Sequence, residues 1–361
     1  MRAAMIAGVL GCLLLPQTAH ADFDGLGASA LKAADEVILP GYEALIASAE
    51  AEARALSPLC DAPSARALDA ARQDYLDLVS GFGRVEFVRF GPAREDFRYS
   101  RIFFWPDRRG RGLKQVRALI HDRDTGALEP RALREKSVAV QGLGALEFVL
   151  FGEGAEILAG PDGGFRCRYA LAIANNIADL AQEILADWTR PGGFRSLLAS
   201  PGPENPRFRS GKEAMQMLVD AAREQIQFVR EHKLLAVLGL SPDEARPKRA
   251  PLWRSGGTLV LVEANIAAVD ALFTGGRLDG PLQTADGLLA EELSLELDNA
   301  LKAVSEARYI NAGATAPFAS TEGHGLLLYA TAPLGGAANI LGDRLPRALG
   351  LVSGFNALDG D

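Results

Sequence analysis

An eleven-residue phrase that occurs twice, at residues 81–91 and 142–152, is the feature that most constrains how this chain can fold. Seven of the eleven positions are identical in the two copies. Each copy puts one carboxylate, Glu86 or Glu147, inside an apolar run that has helical character and ends at glycine. Burial of a carboxylate is unfavourable unless another group pairs with it. The repeat therefore predicts two partnered carboxylates, and a site, or two halves of one, around them.

The composition is that of a folded protein with two domains of ordinary size. The chain has 361 residues, of which 48% are hydrophobic and 23% are charged. That length exceeds what one small core needs. The net charge of −8 disfavours a broad phosphate-binding surface, so no nucleic-acid partner is expected.

The first 21 residues have the pattern of a secretory signal peptide. Arg2 supplies positive charge, residues 5–15 are apolar but too short to span a bilayer, and an A-x-A site at residues 19–21 predicts cleavage by signal peptidase I after Ala21. The segment that ends at Cys12 resembles a lipobox, so lipid attachment is the alternative; much of the apolar run follows that cysteine, which argues against it. No transmembrane helix is expected in the mature chain, and the predicted location is the periplasm.

Cleavage at this site leaves two cysteines, Cys60 and Cys167. In an oxidising compartment an even pair indicates one disulfide. Closing a loop of about 100 residues would stabilise the fold by about 4–5 kcal/mol in the chain-entropy model. The alternative is two unpaired buried thiols.

Helical periodicity dominates the chain, and no hairpin or βαβ pattern interrupts it. A proline- and glycine-rich stretch at residues 189–209 predicts a domain boundary. The sequence therefore predicts an all-α protein with two helical bundles of about four helices each, at residues 22–195 and 210–361. The predicted helices cover residues 35–53, 64–90, 113–120, 128–151, 165–188, 212–235, 258–273 and 285–307, with further turns in 322–349.

The two helices expected to carry the repeat both end at its final glycine, with one short return element at residues 113–120 between them. If that element runs back along the bundle, the two helices are parallel and their C-terminal ends lie at one level. Glu86 and Glu147 would then face a common region.

Residues 142–152 resemble the signature of the imelysin family, also called peptidase family M75, which includes iron-regulated proteins. The family pattern is Gly-x-His-x-x-Glu followed by apolar residues. Residues 86–92 with Trp105-Pro106-Asp107 are similar to a landmark of its first half, and residues 354–361 are similar to its C-terminal ending. The resemblance implies a two-domain, all-α protein of the bacterial cell envelope, associated with iron uptake or regulation, with its site between the domains.

One departure from that pattern affects the chemistry that the resemblance implies. Gly144 occupies the position of the family histidine, whereas Glu147 keeps its place. Glycine has no side chain with which to ligate a metal or transfer a proton. A site here is therefore expected to depend on carboxylates rather than on histidine.

Seven residues near these motifs are candidates for a ligand or metal site. Carboxylate oxygens are hard ligands that suit Fe³⁺ or Ca²⁺ better than zinc, so iron or another divalent or trivalent metal is the expected cofactor, if there is one. The candidates are Glu147, Glu86, Asp107, Arg89, Trp105, Gly142 and Gly144.

Each candidate also has a structural interpretation. Glu147 could pair with an arginine that locks the bundle, and Glu86 could pair with Arg89 three residues on. Trp105 could plug the end of the bundle. Gly142, Gly144 and their counterparts in the first copy could permit close helix contacts rather than access to a ligand.

Positive charge is dense between residues 84 and 101, and no catalytic residue is apparent. The arginines there could neutralise the carboxylates or bind an anionic ligand such as a carboxylate-bearing chelator; they are Arg84, Arg89, Arg94, Arg98 and Arg101. The histidines beyond the leader are isolated, and no His-Glu-x-x-His motif occurs.

Three functions remain open from the sequence. The first is a non-enzymatic periplasmic binding or accessory protein for iron or for a metal chelate, acting with envelope iron-uptake proteins. The second is a metal-dependent peptidase, against which the glycine at position 144 counts. The third is a degenerate family member that serves as an interaction scaffold.

Overall fold

The computed structural model describes residues 21–352 except for residues 108, 276, 311, 312 and 314, and it describes the backbone alone for residues 21–24. Two predictions fall outside the described residues. They are the signal peptide, with its alternative lipid site at Cys12, and the C-terminal landmark at residues 354–361.

The described chain is built from helices and contains no strand, which confirms the all-α prediction. The α-helices of its first half are α1 (Ala21–Ala33), α2 (Leu39–Asp61), α3 (Ala65–Gly83), α4 (Arg98–Ile102), α5 (Arg111–Asp122), α6 (Pro130–Arg134), α7 (Leu143–Phe151), α8 (Gly164–Thr189) and α9 (Phe194–Ala199). Those of its second half are α10 (Gly211–Phe228), α11 (Ala236–Leu238), α12 (Gly257–Leu272), α13 (Asp279–Arg308), α14 (Ala316–Ala319), α15 (Thr321–Asn339) and α16 (Leu345–Ala348).

Several of these helices continue into one another through π-helical turns. The turn Ala34–Ile38 joins α1 to α2, Val229–Leu235 joins α10 to α11, and Ile340–Arg344 joins α15 to α16. Such turns are frequent at functional sites, and the second of them borders the cleft described below.

Apolar helix faces pack into one continuous core. In the first half α2 packs against α3 and α8, and in the second half α13 packs against α12 and α15. Two contacts cross the predicted domain boundary, since α1 packs against α10 and α12 packs against α3. The two halves therefore share an extensive interface.

The predicted helix over residues 64–90 begins as expected but ends early. The Ser64 hydroxyl accepts a hydrogen bond from the backbone N–H of Ala67 at 3.2 Å, as an N-cap residue does. The helix stops at Gly83, and residues 84–90 form turns that carry Glu86 toward the second half. The apolar pattern extends past the true end because those residues are buried by tertiary contacts rather than by a helix face.

The single helix predicted over residues 128–151 is wrong. The structure has two short helices there, α6 and α7, separated by residues 135–142. The Gln141 amide donates to the carbonyls of Leu133, Lys136 and Ser137, which stabilises the break. Since Glu86 lies after α3 rather than on it, the two glutamates do not lie on parallel helices.

A disulfide joins Cys60 at the end of α2 to Cys167 near the start of α8, as predicted. The two Cα atoms lie 5.4 Å apart, and the cysteines are 107 positions apart in the sequence. The bond ties the segment before the first copy of the repeat to the segment after the second.

One helical run in the described chain, Thr321–Ala348, is long and apolar enough to cross a membrane by length and composition, where the sequence analysis expected none. Its most apolar window is 44% buried inside the fold. The run packs against α13 and α10 and so contributes to the core of the second half.

Candidate functional site

A cleft of about 650 Å³ lies between the two halves of the molecule. Residues 103–107, the start of α5 and the first turns of α7 form one wall. The opposite wall consists of the π-helical turn that carries His232 and of residues 248–254, which precede α12. Since each half supplies one wall, the cleft depends on how the halves pack together.

Glu147 lies at the inner wall of this cleft and is 3% exposed. One of its oxygens, Oε1, accepts hydrogen bonds from the backbone N–H groups of Arg254 at 2.8 Å and Ser255 at 3.0 Å. The Ser255 hydroxyl lies 3.0 Å from the same oxygen. The other oxygen, Oε2, has the guanidinium of Arg254 at 3.5 Å. Glu147 thereby holds the segment that leads into α12.

These contacts only partly offset the burial of the Glu147 carboxylate. Burial raises its pKa above the usual value, and the hydrogen bonds from Ser255 together with the charge of Arg254 oppose that rise without cancelling it. Glu147 is therefore easier to protonate than an exposed glutamate.

The segment that Glu147 binds, residues 248–254, contributes positively charged side chains to the cleft. Lys248, Arg249 and Arg254 all line the cavity. The Arg254 guanidinium lies 4.5 Å from the centroid of the Trp253 ring, and the Lys248 ammonium lies 5.5 Å from the same centroid. Within the described residues Lys248 and Arg249 form no ion pair, so their charges are available to a ligand.

Glu86 has a different environment, because it is fully buried and does not line the cleft. Its Oε2 accepts hydrogen bonds from the Lys233 ammonium at 2.6 Å and the Asn265 amide at 3.0 Å. Its Oε1 lies 3.2 Å from Arg89 and 3.5 Å from the Tyr99 hydroxyl. Glu86 thus joins the first half to a lysine and an asparagine of the second.

The network around Glu86 keeps its carboxylate charged. Burial alone would raise the pKa of Glu86, but the charges of Lys233 and Arg89 hold it below the usual value. Burial also lowers the pKa of Lys233 to about 8, against the attraction of Glu86. The Glu86–Lys233 pair is therefore a buried ion pair at neutral pH.

Asp107 and Trp105 line the cleft, and the side chains of both also make contacts that stabilise the fold. The Asp107 carboxylate accepts hydrogen bonds from the backbone N–H groups of Arg111 at 2.9 Å, Gly112 at 2.9 Å and Leu113 at 3.3 Å, so it caps α5. The Trp105 ring packs edge-on against Phe228 with centroids 5.6 Å apart.

The glycines of the repeat differ in what surrounds them. A Cβ at Gly142 would lie 2.3 Å from the carbonyl oxygen of Ile102, and one at Gly83 would lie 2.6 Å from the Cβ of Ala264. These glycines permit close backbone and helix contacts. A Cβ at Gly144 would meet nothing within 4 Å, and Gly144 lines the cleft. Gly144 therefore leaves open space beside Glu147.

The arginines at residues 84–101 do not line this cleft. Arg89 pairs with Glu86, Arg98 pairs with Asp187 at 2.7 Å, and Arg101 donates to Gln141 at 3.2 Å. The basic residues that face the cleft come instead from residues 248–254, which no sequence motif indicated.

The donor set of the described residues does not fit a resident metal ion. No group of three or more His, Cys, Asp or Glu side chains is placed to hold a metal within that part of the chain. Glu86 lies in a separate network, Asp107 caps a helix, and position 144 has no side chain. The predicted carboxylates are therefore not brought together in one coordination sphere.

The sequence predicted Arg89 as a partner of Glu86, and the two lie 3.2 Å apart, but it did not predict the partners that the second half supplies to the two glutamates. Lys233 gave no signal, because it follows the polar residues 230–232, but Asn265 did, since it is a polar residue within a mainly apolar helical stretch. Such residues need a buried partner, as Glu86 does. Ser255 and Arg254 gave no comparable signal, because they bind Glu147 mainly through their backbone.

Comparison with known proteins identifies the family. The family model for imelysin, Peptidase M75, matches residues 38–335. The chain belongs to the imelysin family. Its resemblance at residues 142–152 is therefore part of a match that extends over most of the chain, and Gly144 marks it as a family member without the histidine of the signature pattern.

Relatives and solved structures agree with this family assignment. The chain is 26% identical over 285 residues to iron-regulated protein A of Synechococcus elongatus, covering 75% of this chain and 72% of that protein. Its fold is similar to an imelysin-like protein of Psychrobacter arcticum, with a TM-score of 0.76 and 19% identity, over 92% of this chain and 98% of that one. A candidate iron-regulated protein A precursor of Parabacteroides distasonis gives a TM-score of 0.74 and 15% identity, over 92% and 97% of the two chains.

Proposed function

We propose that this imelysin-family protein is an exported, non-enzymatic binding protein of iron acquisition, which takes up a metal-carrying ligand in the cleft between its two halves. The observation that carries the proposal is the cleft itself. It combines aromatic walls, unpaired cations and open space beside Glu147 in about 650 Å³, within the size range of small-molecule sites.

The link to iron rests on relatives. A protein that is 26% identical is named iron-regulated protein A, and a structural neighbour is described as a precursor of such a protein. A precursor is processed, which agrees with the signal peptide predicted at residues 1–21. The disulfide between Cys60 and Cys167 is compatible with an oxidising compartment.

The peptidase alternative has less support from the residues present. A metal-dependent peptidase needs side chains that hold the metal and leave one coordination position open. Here the nearest carboxylates are engaged by backbone N–H groups, and Gly144 contributes no ligand. A scaffold function would leave the unpaired cations of the cleft without a role.

The proposal is tested on protein purified from the periplasm of its native host grown under iron limitation. Metal analysis and mass spectrometry of the purified protein are expected to find iron together with a small organic molecule. The mature chain is expected to begin at Asp22. The Lys248→Glu/Arg249→Glu variant is expected to lose the bound iron.

The control for this experiment is Arg66→Glu, an exposed charge reversal on α3 outside the cleft lining. It is expected to retain the iron. Wild-type protein without any iron-containing molecule, or equal iron in the Lys248→Glu/Arg249→Glu variant, would contradict the proposal.

A further inference from the structure

We infer that the cleft selects a preformed, negatively charged metal chelate over a bare metal ion, and that the space at Gly144 admits the organic part of that chelate. This inference rests on the proposed function and names the class of ligand. It follows from three properties of the cleft: its occupied carboxylates, its unpaired cations and its open space.

The carboxylates of the cleft are already engaged by the protein. Two backbone N–H groups and a hydroxyl approach one oxygen of Glu147, and three backbone N–H groups bind the carboxylate of Asp107. A bare ion would have to share these oxygens with the donors that already bind them, and several donors already satisfy Glu147 Oε1 and Asp107 Oδ2. An ion that arrives with its own ligands does not need them.

The charge of the cleft favours an anion. Lys248, Arg249 and Arg254 line it, opposed by the carboxylates of Glu147 and Asp107. Burial raises the pKa of Glu147, so its negative charge is less stable than that of an exposed glutamate. A multivalent cation would be repelled by the unpaired lysine and arginine, whereas the carboxylates or phenolates of a chelate would be attracted to them.

The cation–aromatic arrangement suits a ligand with an organic shell. The Trp253 ring contacts the charged groups of both Lys248 and Arg254. Trp105 and Phe148 line the cleft from the first half of the chain. Aromatic rings contact carbon-rich ligand surfaces, and the adjacent cations bind their charged groups.

Gly144 leaves the open space in the cleft that the organic part of the chelate would occupy. It lies one helical turn before Glu147 on the same wall, and a Cβ there would meet no atom within 4 Å. The corresponding glycine of the first copy, Gly83, is instead closely packed against α12. The absence of a side chain at position 144 is therefore not required by packing, and it enlarges the cleft.

The first experiment compares four probes on the full mature protein. Two methods measure binding: equilibrium dialysis with metal analysis, and fluorescence of Trp105 and Trp253 at the cleft, to which the buried Trp188 adds a background. The probes are ferric citrate, the cationic ferric complex ferrioxamine B, Fe²⁺ under anaerobic conditions, and Zn²⁺. Ferric citrate is expected to bind at least about tenfold more tightly than each of the other three probes. Equal or tighter binding of a bare ion would overturn the inference.

The second experiment places a side chain in the open space at position 144. Gly144→Leu is expected to weaken ferric citrate binding by roughly tenfold or more. Its matched control is Gly325→Leu, since Gly325 is also helical, has no atom within 4 Å of a built Cβ, and does not line the cleft. Circular dichroism and thermal unfolding check that both variants fold. Unchanged binding by folded Gly144→Leu would overturn the inference.

These outcomes separate the inference from the proposed function. Binding of ferric citrate that is insensitive to Gly144→Leu, or matched by Fe²⁺, leaves an iron-binding protein and removes the selectivity argued here. A wild-type protein that carries no iron-containing molecule from its native periplasm removes the proposed function itself.

Discussion

The two copies of the repeated phrase have nearly the same sequence and different surroundings. In the first copy Glu86 is fully buried in an ion pair with Lys233 and does not reach the cleft. In the second copy Glu147 lies at the cleft wall and is bound mainly by backbone N–H groups. Both glutamates connect the first half of the chain to the second. The comparison shows that one motif can supply an internal brace in one place and the wall of a cleft in another.

The largest expected effect is a difference in unfolding free energy between variants of the two glutamates. Glu86→Ala leaves the Lys233 ammonium buried without its carboxylate and is expected to destabilise the fold by about 3–5 kcal/mol. Glu147→Ala removes the acceptor of two backbone N–H groups that lie near the cleft and is expected to cost about 1–3 kcal/mol. Urea unfolding measures both values.

A double variant checks that the loss comes from the unpaired lysine. Glu86→Met/Lys233→Met removes both charges with side chains of similar length and is expected to regain most of the stability that Glu86→Ala loses. Equal losses from Glu86→Ala and Glu147→Ala would show that the two copies brace the fold equally.

The next largest effect is the change in stability when the glycine at the third position of each copy is replaced by alanine. Gly83→Ala would bring its Cβ to 2.6 Å from the Cβ of Ala264, so this overpacking is expected to destabilise by about 1–3 kcal/mol. Gly144→Ala enters open space on a helix and is expected to stabilise by about 1 kcal/mol. Thermal unfolding of the two variants provides the comparison, and the same sign for both would contradict it.

The smallest effect is a difference in the sign of the pH dependence. The pKa of Glu86 is lowered, so its stabilisation is present above its unfolded value of 4.5 and is lost as the pH falls through its native pKa. The pKa of Glu147 is raised, so its stabilisation is full below 4.5 and is lost as the pH rises through its native pKa.

Urea unfolding of wild type, Glu86→Gln and Glu147→Gln between about pH 3.5 and 7 measures these slopes. In the wild type Lys233 stays protonated over this range, because its pKa is about 8. The stability difference between wild type and Glu86→Gln is expected to grow with pH, and that between wild type and Glu147→Gln is expected to shrink. Parallel slopes would mean that the two carboxylates have equivalent environments.

The sequence predicted the helical class, the disulfide and the burial of both glutamates, because periodicity, cysteine number and an apolar context around Glu86 and Glu147 are local signals. It did not predict where the helices around them end. The break before α7 depends on bonds from Gln141 to three carbonyls, and the end of α3 depends on contacts with α12. Helical periodicity reports neither cause, since the first is a set of local side-chain bonds and the second is a contact between the two halves.

The sequence predicted only some of the residues of the candidate site. Glu147, Gly144, Asp107 and Trp105 line the cleft, whereas Glu86 and Arg89 belong to the interior network. The basic residues of the cleft lie in a connection without helical periodicity and are about 100 residues from Glu147 in the sequence. Their approach to Glu147 depends on the packing of the two halves.

Hydrogen exchange with and without ferric citrate tests most directly whether the two copies differ in function. The account predicts that the chelate increases protection at residues 142–152 and 247–256 and leaves residues 81–91 unchanged. Equal protection of both copies, or protection of residues 81–91 alone, would contradict the assignment of the second copy to the ligand site and of the first to an internal brace.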